Sequence, residues 1–246
     1  MVNLKTPEQI EIMREGGKIL HMILERLAKA VRPGLKTIEL DALARELLVQ
    51  HDAEASFLNY NGFPAALCVS INEEIVHGLP SGRILKDGDV VKLDFGVLYK
   101  GFHTDSARTV LAGPGSPKNK KLISITERAL ELGIEQARAG NTTGDIGHAI
   151  QAYVESEGCG VVRDLVGHGI GRSVHEEPEV LNYGESGEGI ALEPGMVIAI
   201  EPMVVEGSWK ITDGSDGYSY VTKDGKLAAH AEHTVAITER GPDILT

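Results

Sequence analysis

Residues 90–111 read VVKLDFGVLYKGFHTDSARTVL, two runs rich in β-branched and aromatic residues joined by Tyr99-Lys100-Gly101. Such runs predict strands over 90–98 and 102–111, with Gly101 at the left-handed position of a three-residue hairpin loop. Pairing Leu98 with Gly101 at the loop places Asp94 directly opposite Asp105, with Cβ atoms about 4.5–5.5 Å apart. Two carboxylates so placed repel each other, so one is protonated or each finds a cation. In the blander arrangement both point into solvent, but the flanking Val90, Val91, Leu93 and Val97 favour a buried region.

Working outward, Thr6-Pro7-Glu8-Gln9 is a capping box with proline at the first helical position. Ile10, Met13, Leu20, Leu24 and Leu27 follow at helical spacing until Pro33-Gly34. A second helix is expected from Thr37, and two more from Ser116-Pro117 to about Gly140 and from Thr143 to about Gly158. Further strands are expected over 66–71, 196–204 and 232–238. Helices thus come in pairs, with strands after each pair.

That order repeats. Gly34, Thr37, Glu39 and Leu40 match Gly140, Thr143, Asp145 and Ile146, and LKDGDVVKLD ending at Asp94 matches LEPGMVIAIE ending at Glu201. Shared helix-start and strand-start grammar accounts for either match singly; both at nearly one separation favour a duplicated half. The chain then reads as one catalytic domain, 1–246, with halves of roughly 7–112 and 117–240. A pseudo-two-fold arrangement brings Asp94 and Glu201 to equivalent places beside its axis.

Glu201 closes MVIAIE and Glu232 opens EHTVAIT, so four acids abut aliphatic runs. One such glutamate is ordinarily a surface charge or ion-pair partner. His168 lies in VGHGIG, where small neighbours let the backbone crowd a site; no phosphate-loop lysine or hydroxyl follows, so nucleotide binding is not indicated. Two aspartates, two glutamates and a neutral imidazole carry a ligand charge of −4, which balances two divalent cations. A hydroxide bridging two such ions is a hydrolytic nucleophile. Oxygen-rich ligation without thiolate favours Mn, Fe or Co over a closed structural zinc site.

Composition limits the alternatives. A net charge of −12 disfavours nucleic acid or an anionic membrane as the main partner. Cys68 and Cys159 lack zinc-ligand spacing and suit a reducing, cytoplasmic setting. The first 18 residues offer no apolar leader, and no apolar run is long enough to span a bilayer.

At these residues the chain resembles type I methionine aminopeptidases over nearly its whole length. The matching segments are SINEEIVHGLP, KLDFGVLYKGFHTDSA, GHGIGRSVHEEP, EPGMVIAIEPM and AEHTVAIT. The resemblance implies the α/β (α+β) pita-bread fold, with duplicated halves of a helix pair plus antiparallel strands around a central metal site. It also implies removal of N-terminal methionine from nascent proteins and peptides, preferably before a small second residue. Asp94 would hold one metal, His168 and Glu201 the other, and Asp105 and Glu232 both; Co, Mn, Fe, Zn and Ni all remain open. Glu201 would relay a proton to the leaving amine. His77 and His175 would bind substrate and stabilise the transition state, whereas either histidine alone suggests only a structural or surface role. The methionine pocket would comprise Tyr60, Phe63, Cys68 and Tyr218, residues equally readable as core. Val174 and Tyr218 stand where familiar bacterial members often carry bulkier aromatics. Docking to the ribosome and a monomeric state are further expectations. Two alternatives stay open: an Xaa-Pro-specific peptidase of the same fold, and a non-catalytic binding relative.

Overall fold

The computed structural model describes residues 2–246. Its four helices are α1 (Pro7–Ala30), α2 (Thr37–Gln50), α3 (Pro117–Gln136) and α4 (Thr143–Ser156). Helix α1 starts where Thr6 Oγ1 accepts the Gln9 N–H and Gln9 Oε1 accepts the Thr6 N–H, closing the capping box. The Thr142–Asp145 pair does the same for α4. Helices α1 and α3 end four residues before Gly34 and Gly140, sooner than the glycines suggest. Those glycines instead take positive φ in the connections that follow.

The first-half strands are β1 (Glu54–Ala55), β2 (Cys68–Ile71), β3 (Glu74–Val76), β4 (Val90–Tyr99) and β5 (Phe102–Leu111). After α4 come β6 (Gly160–Val161), β7 (Gly167–Gly169), β8 (Glu176–Val180), β9 (Val197–Ile200) and β10 (Met203–Val205). The remainder are β11 (Ile211–Asp213), β12 (Tyr220–Thr222), β13 (Ala228–His230), β14 (His233–Thr238) and β15 (Gly241–Ile244). One sheet has the order β1-β4-β2 with β5 on β4, and another the order β15-β14-β9-β7-β8. Two three-stranded sheets, β13-β10-β6 and β11-β12-β3, complete the described strands.

The hairpin register differs from the expected one. Tyr99 pairs with Phe102, so the turn is the two residues Lys100-Gly101. Both have positive φ, 48° and 81°, as a type I′ turn requires, and its twist matches that of the strands. Asp94 therefore faces Ala107 and Asp105 faces Gly96. The carboxylates are diagonal neighbours on one sheet face, still close enough to interact.

The strand expected over 196–204 is also interrupted. Strand β9 ends at Ile200 in the five-stranded sheet and β10 resumes at Met203 in a three-stranded one, because Pro202 offers no N–H to continue the ladder. The neighbouring segment switches between the same two sheets from β13 to β14. Glu201 and Glu232 occupy these two crossings.

Both halves make the same backbone connections. The Gly34 N–H donates to Leu85 O and the Thr37 N–H to Arg83 O; in the second half Gly140 donates to Leu192 O and Thr143 to Ile190 O. Each half has its own apolar core, one drawn from residues 20–112 and one from residues 122–237. Between them, β5 runs beside the β13–β14 segment. Ala107 and Glu232 exchange backbone hydrogen bonds, and the side chains of Thr234 and Thr109 bridge to Asp105 and His230 on either side.

Candidate metal centre

The crossing of the halves collects the charged groups. Asp94 and Asp105 come from the β4–β5 hairpin, Glu201 and Glu232 from the two sheet switches, and His168 from β7. None is more than 9% exposed, so every charge here has left water. One ligand atom each from Asp105, His168 and Glu232 lies within 4.8 Å of the others. His168 Nε2 is 3.5 Å from Glu201 Oε1.

Strand β7 reaches this point because its neighbours admit only glycine. A Cβ on Gly167 would sit 2.4 Å from the Ala199 carbonyl oxygen, and one on Gly169 2.2 Å from that of Glu177. His168 Nδ1 lies 2.9 Å from the Gly169 carbonyl, which only accepts, so the proton is on Nδ1 and the Nε2 lone pair is free. Burial and the nearby His175 push the imidazole pKa to about 3, keeping it neutral.

The acids behave oppositely. Burial raises Asp94 to about 7 and Glu201 to about 8. Asp105 and Glu232 are raised well above the usual carboxyl range, first by burial and then by neighbouring acids: Asp94 and Glu201 act on Asp105, and Asp105, Glu201 and Asp94 act on Glu232. Asp94 Oδ1, Asp105 Oδ1 and Glu232 Oε1 are buried without a hydrogen-bond partner. Orphaned carboxylate oxygens beside a neutral imidazole with a free lone pair are what divalent cations require of a site, so the donor set fits a metal.

The acids floor a cavity of about 300 Å³ that is also lined by His77, His175, Tyr60, Phe63, Cys68 and Tyr218. His77 directly follows β3 and has φ 60°, an uncommon conformation for a side-chain-bearing residue. Burial among protein atoms, with His230 and His175 nearby, lowers its pKa to about 4. His175 Nδ1 is 2.8 Å from the Tyr60 hydroxyl, and its ring lies 4.2 Å from that of His168. Phe63 and Cys68 are buried in the wall, while Tyr60 and Tyr218 stand at the partly exposed rim. Phe63 and Tyr218 pack edge to face at 5.4 Å. Val174 is buried beside this region but is not a lining residue.

Sequence reasoning missed Phe57 and Tyr220, which also line the cavity, and His230, whose Nε2 lies 3.5 Å from Glu201 Oε2. Its signal was adjacency: the ring sits one residue before the AEHTVAIT segment.

The family model for metallopeptidase family M24 matches residues 11–239. The chain belongs to this metallopeptidase family. Within M24, it is 52% identical to a methionine aminopeptidase of Clostridium perfringens, covering 100% of this chain and 99% of that one. The solved methionine aminopeptidase of Thermotoga maritima is 42% identical, with a TM-score of 0.98 over 100% of this chain and 99% of that one. The prolidase of Pyrococcus horikoshii, 24% identical, has a TM-score of 0.78 over 99% of this chain but 63% of its own, a likeness of fold alone. The mixed α/β architecture with antiparallel sheets is thus the M24 pita-bread fold.

Proposed function

We propose that this M24 enzyme is a methionine aminopeptidase, removing N-terminal methionine from peptides and nascent proteins, preferably before a small second residue. The observation that carries the reading is the floor of buried, orphaned carboxylate oxygens beneath an apolar-walled cavity. Asp94 would hold one divalent cation, His168 and Glu201 a second, and Asp105 and Glu232 both, with Co, Mn, Fe, Zn or Ni as candidates. Bound there, the ions supply Lewis acidity toward a peptide carbonyl and lower the pKa of water.

The chain's own groups supply the rest. Phe63, Cys68, Tyr60 and Tyr218 offer an unbranched thioether apolar and aromatic contacts in the cavity. If the Tyr60 hydroxyl donates to His175 Nδ1, the proton sits on Nε2, available to a developing oxyanion. His77, which also lines the cavity, would contact the amide beyond the scissile bond. Glu201, with a raised pKa, is suited to carry a proton to the leaving amine. The whole chain acts as one catalytic unit, with the halves of roughly 7–112 and 117–240 each contributing two acids.

Removal from nascent chains places the protein in the cytoplasm, as a monomer that docks at the ribosome. Among the described residues no helix is long and apolar enough to cross a membrane. The test is a metal-reconstituted assay on Met-Ala, Met-Gly, Met-Leu and Xaa-Pro peptides. Cleavage of Met-Ala and Met-Gly with poor turnover of Met-Leu is expected. Turnover of Xaa-Pro peptides alone replaces this reading with a proline-specific one, and no turnover together with no bound metal replaces it with a binding role.

A further inference from the structure

His230 is 1% exposed, and neither ring nitrogen has a hydrogen-bond partner. A buried polar group left in that condition carries a desolvation cost with no compensating hydrogen bond, so its retention calls for a reason. Its aim is fixed by the backbone: the His230 N–H donates to Thr109 Oγ1 at 2.9 Å, and its carbonyl accepts the Thr109 hydroxyl at 2.7 Å. So held, Nε2 faces Glu201 Oε2 at 3.5 Å, while the other oxygen of that carboxyl faces His168 at 3.5 Å. Glu201 thus lies between two imidazoles, one on each oxygen. His230 is not one of the three clustered ligand residues.

We infer that His230 is a positioning residue for Glu201: its neutral ring donates from Nε2 to Oε2, leaving Oε1 directed at the ion shared with His168. This rests on the metal-centre reading above. A separation of 3.5 Å is long for a hydrogen bond. Glu201 must be a carboxylate to ligate a cation, and a carboxylate is the stronger acceptor, so ion binding shortens the contact. A hydrogen bond behind a ligand restricts its rotation and directs its remaining lone pairs, which is how outer partners raise metal affinity.

The test is isothermal titration of the metal-free protein with Mn(II), comparing wild type with His230→Gln, His230→Met and His230→Leu. Gln keeps an N–H donor of similar reach; Met and Leu do not. The Met and Leu variants should bind Mn(II) about 10–100-fold more weakly, with Gln within about threefold of wild type. Metal-free Met and Leu variants should unfold at or above the wild-type temperature, because an unpartnered polar ring has become apolar; packing damage would lower it. If Leu does not fold, the Gln–Met pair decides. Equal affinity in Met and wild type, or equal loss in Gln and Met, overturns the role of His230 and leaves the metal centre standing. Failure of the wild type to bind Mn(II) removes the metal-centre reading and this inference with it.

Discussion

Asp105 and Glu232 each combine a buried carboxyl, an orphaned oxygen and a backbone locked into the seam between the halves. Their side chains contribute charge to the site, whereas the seam is held by main-chain groups and by the hydroxyls of Thr234, Ser106 and Thr109. Asp105→Ala and Glu232→Ala should therefore abolish turnover in a metal-reconstituted assay. In urea unfolding the metal-free variants should match or exceed wild type, by up to about 1–3 kcal/mol, because a desolvated orphan oxygen is removed. Near-normal activity in either would refute the shared-ligand role. His77 and His175 differ in kind from the acids, since both are exposed to the cavity. His175→Ala should lower kcat by about 10²–10³, as loss of an oxyanion donor does. His77→Ala should lower turnover far more than metal content by elemental analysis. A large metal loss would make His77 a ligand.

Strands β7, β8 and β9 approach so closely around His168 that glycine at 167 and 169 is a packing requirement rather than a turn preference. Gly167→Ala would press its methyl on the Ala199 carbonyl and move β7, costing about 1–3 kcal/mol in denaturant unfolding and weakening metal binding together. Gly101→Ala makes the contrast: nothing lies within 4 Å of its Cβ, so the left-handed φ alone is strained, at about 1–2 kcal/mol. Its metal affinity should stay unchanged. If both variants lose stability but neither loses metal, β7 does not set the position of His168. This close approach was legible in VGHGIG, as were all four helix starts, since caps and prolines act locally. The hairpin register was not: a two-residue turn needs two positive φ values, and Lys100 gives little sign of accepting one. Nor was the break at Pro202 foreseen, because an aliphatic run on both sides hides a change of sheet. The ring of His230 was marked only by its adjacency to AEHTVAIT, because its partner Glu201 lies across that sheet change.

For the whole molecule, folding closes two halves on four carboxyls, and the stability of that closure depends on pH and metal. Asp94 and Glu201 have folded-state pKa values of about 7 and 8, above those of an unfolded chain near 4, and Asp105 and Glu232 are raised too. A raised acid favours the folded state fully below the unfolded pKa and withdraws that support as pH climbs through the folded value. The metal-free protein should therefore lose this contribution between about pH 4 and 8. Other groups titrate beside it. His77, His168, His230 and His233, lowered to between about 3 and 4, remove stability as pH falls below 6.5. Lys92, lowered to about 7 by burial, restores some as pH rises above that value. Above pH 6 His77, His168 and His230 are already neutral, and Lys92 does not line the cavity, so between pH 6 and 8 the pH dependence of the metal-induced rise in Tm reports the carboxyls proposed as ligands. Cations bind the carboxylate forms and displace protons, so that rise should be small at pH 6 and grow through pH 8 at fixed free Mn(II), reaching about 2.7 kcal/mol of added stability where the ion stands at 100 times its Kd. Scanning calorimetry across this range, with proton release followed in two buffers of different ionisation enthalpy, measures both. A metal-induced Tm rise independent of pH, without proton release, would mean that the four carboxyls are already ionised in the metal-free fold and that something other than the cation compensates them.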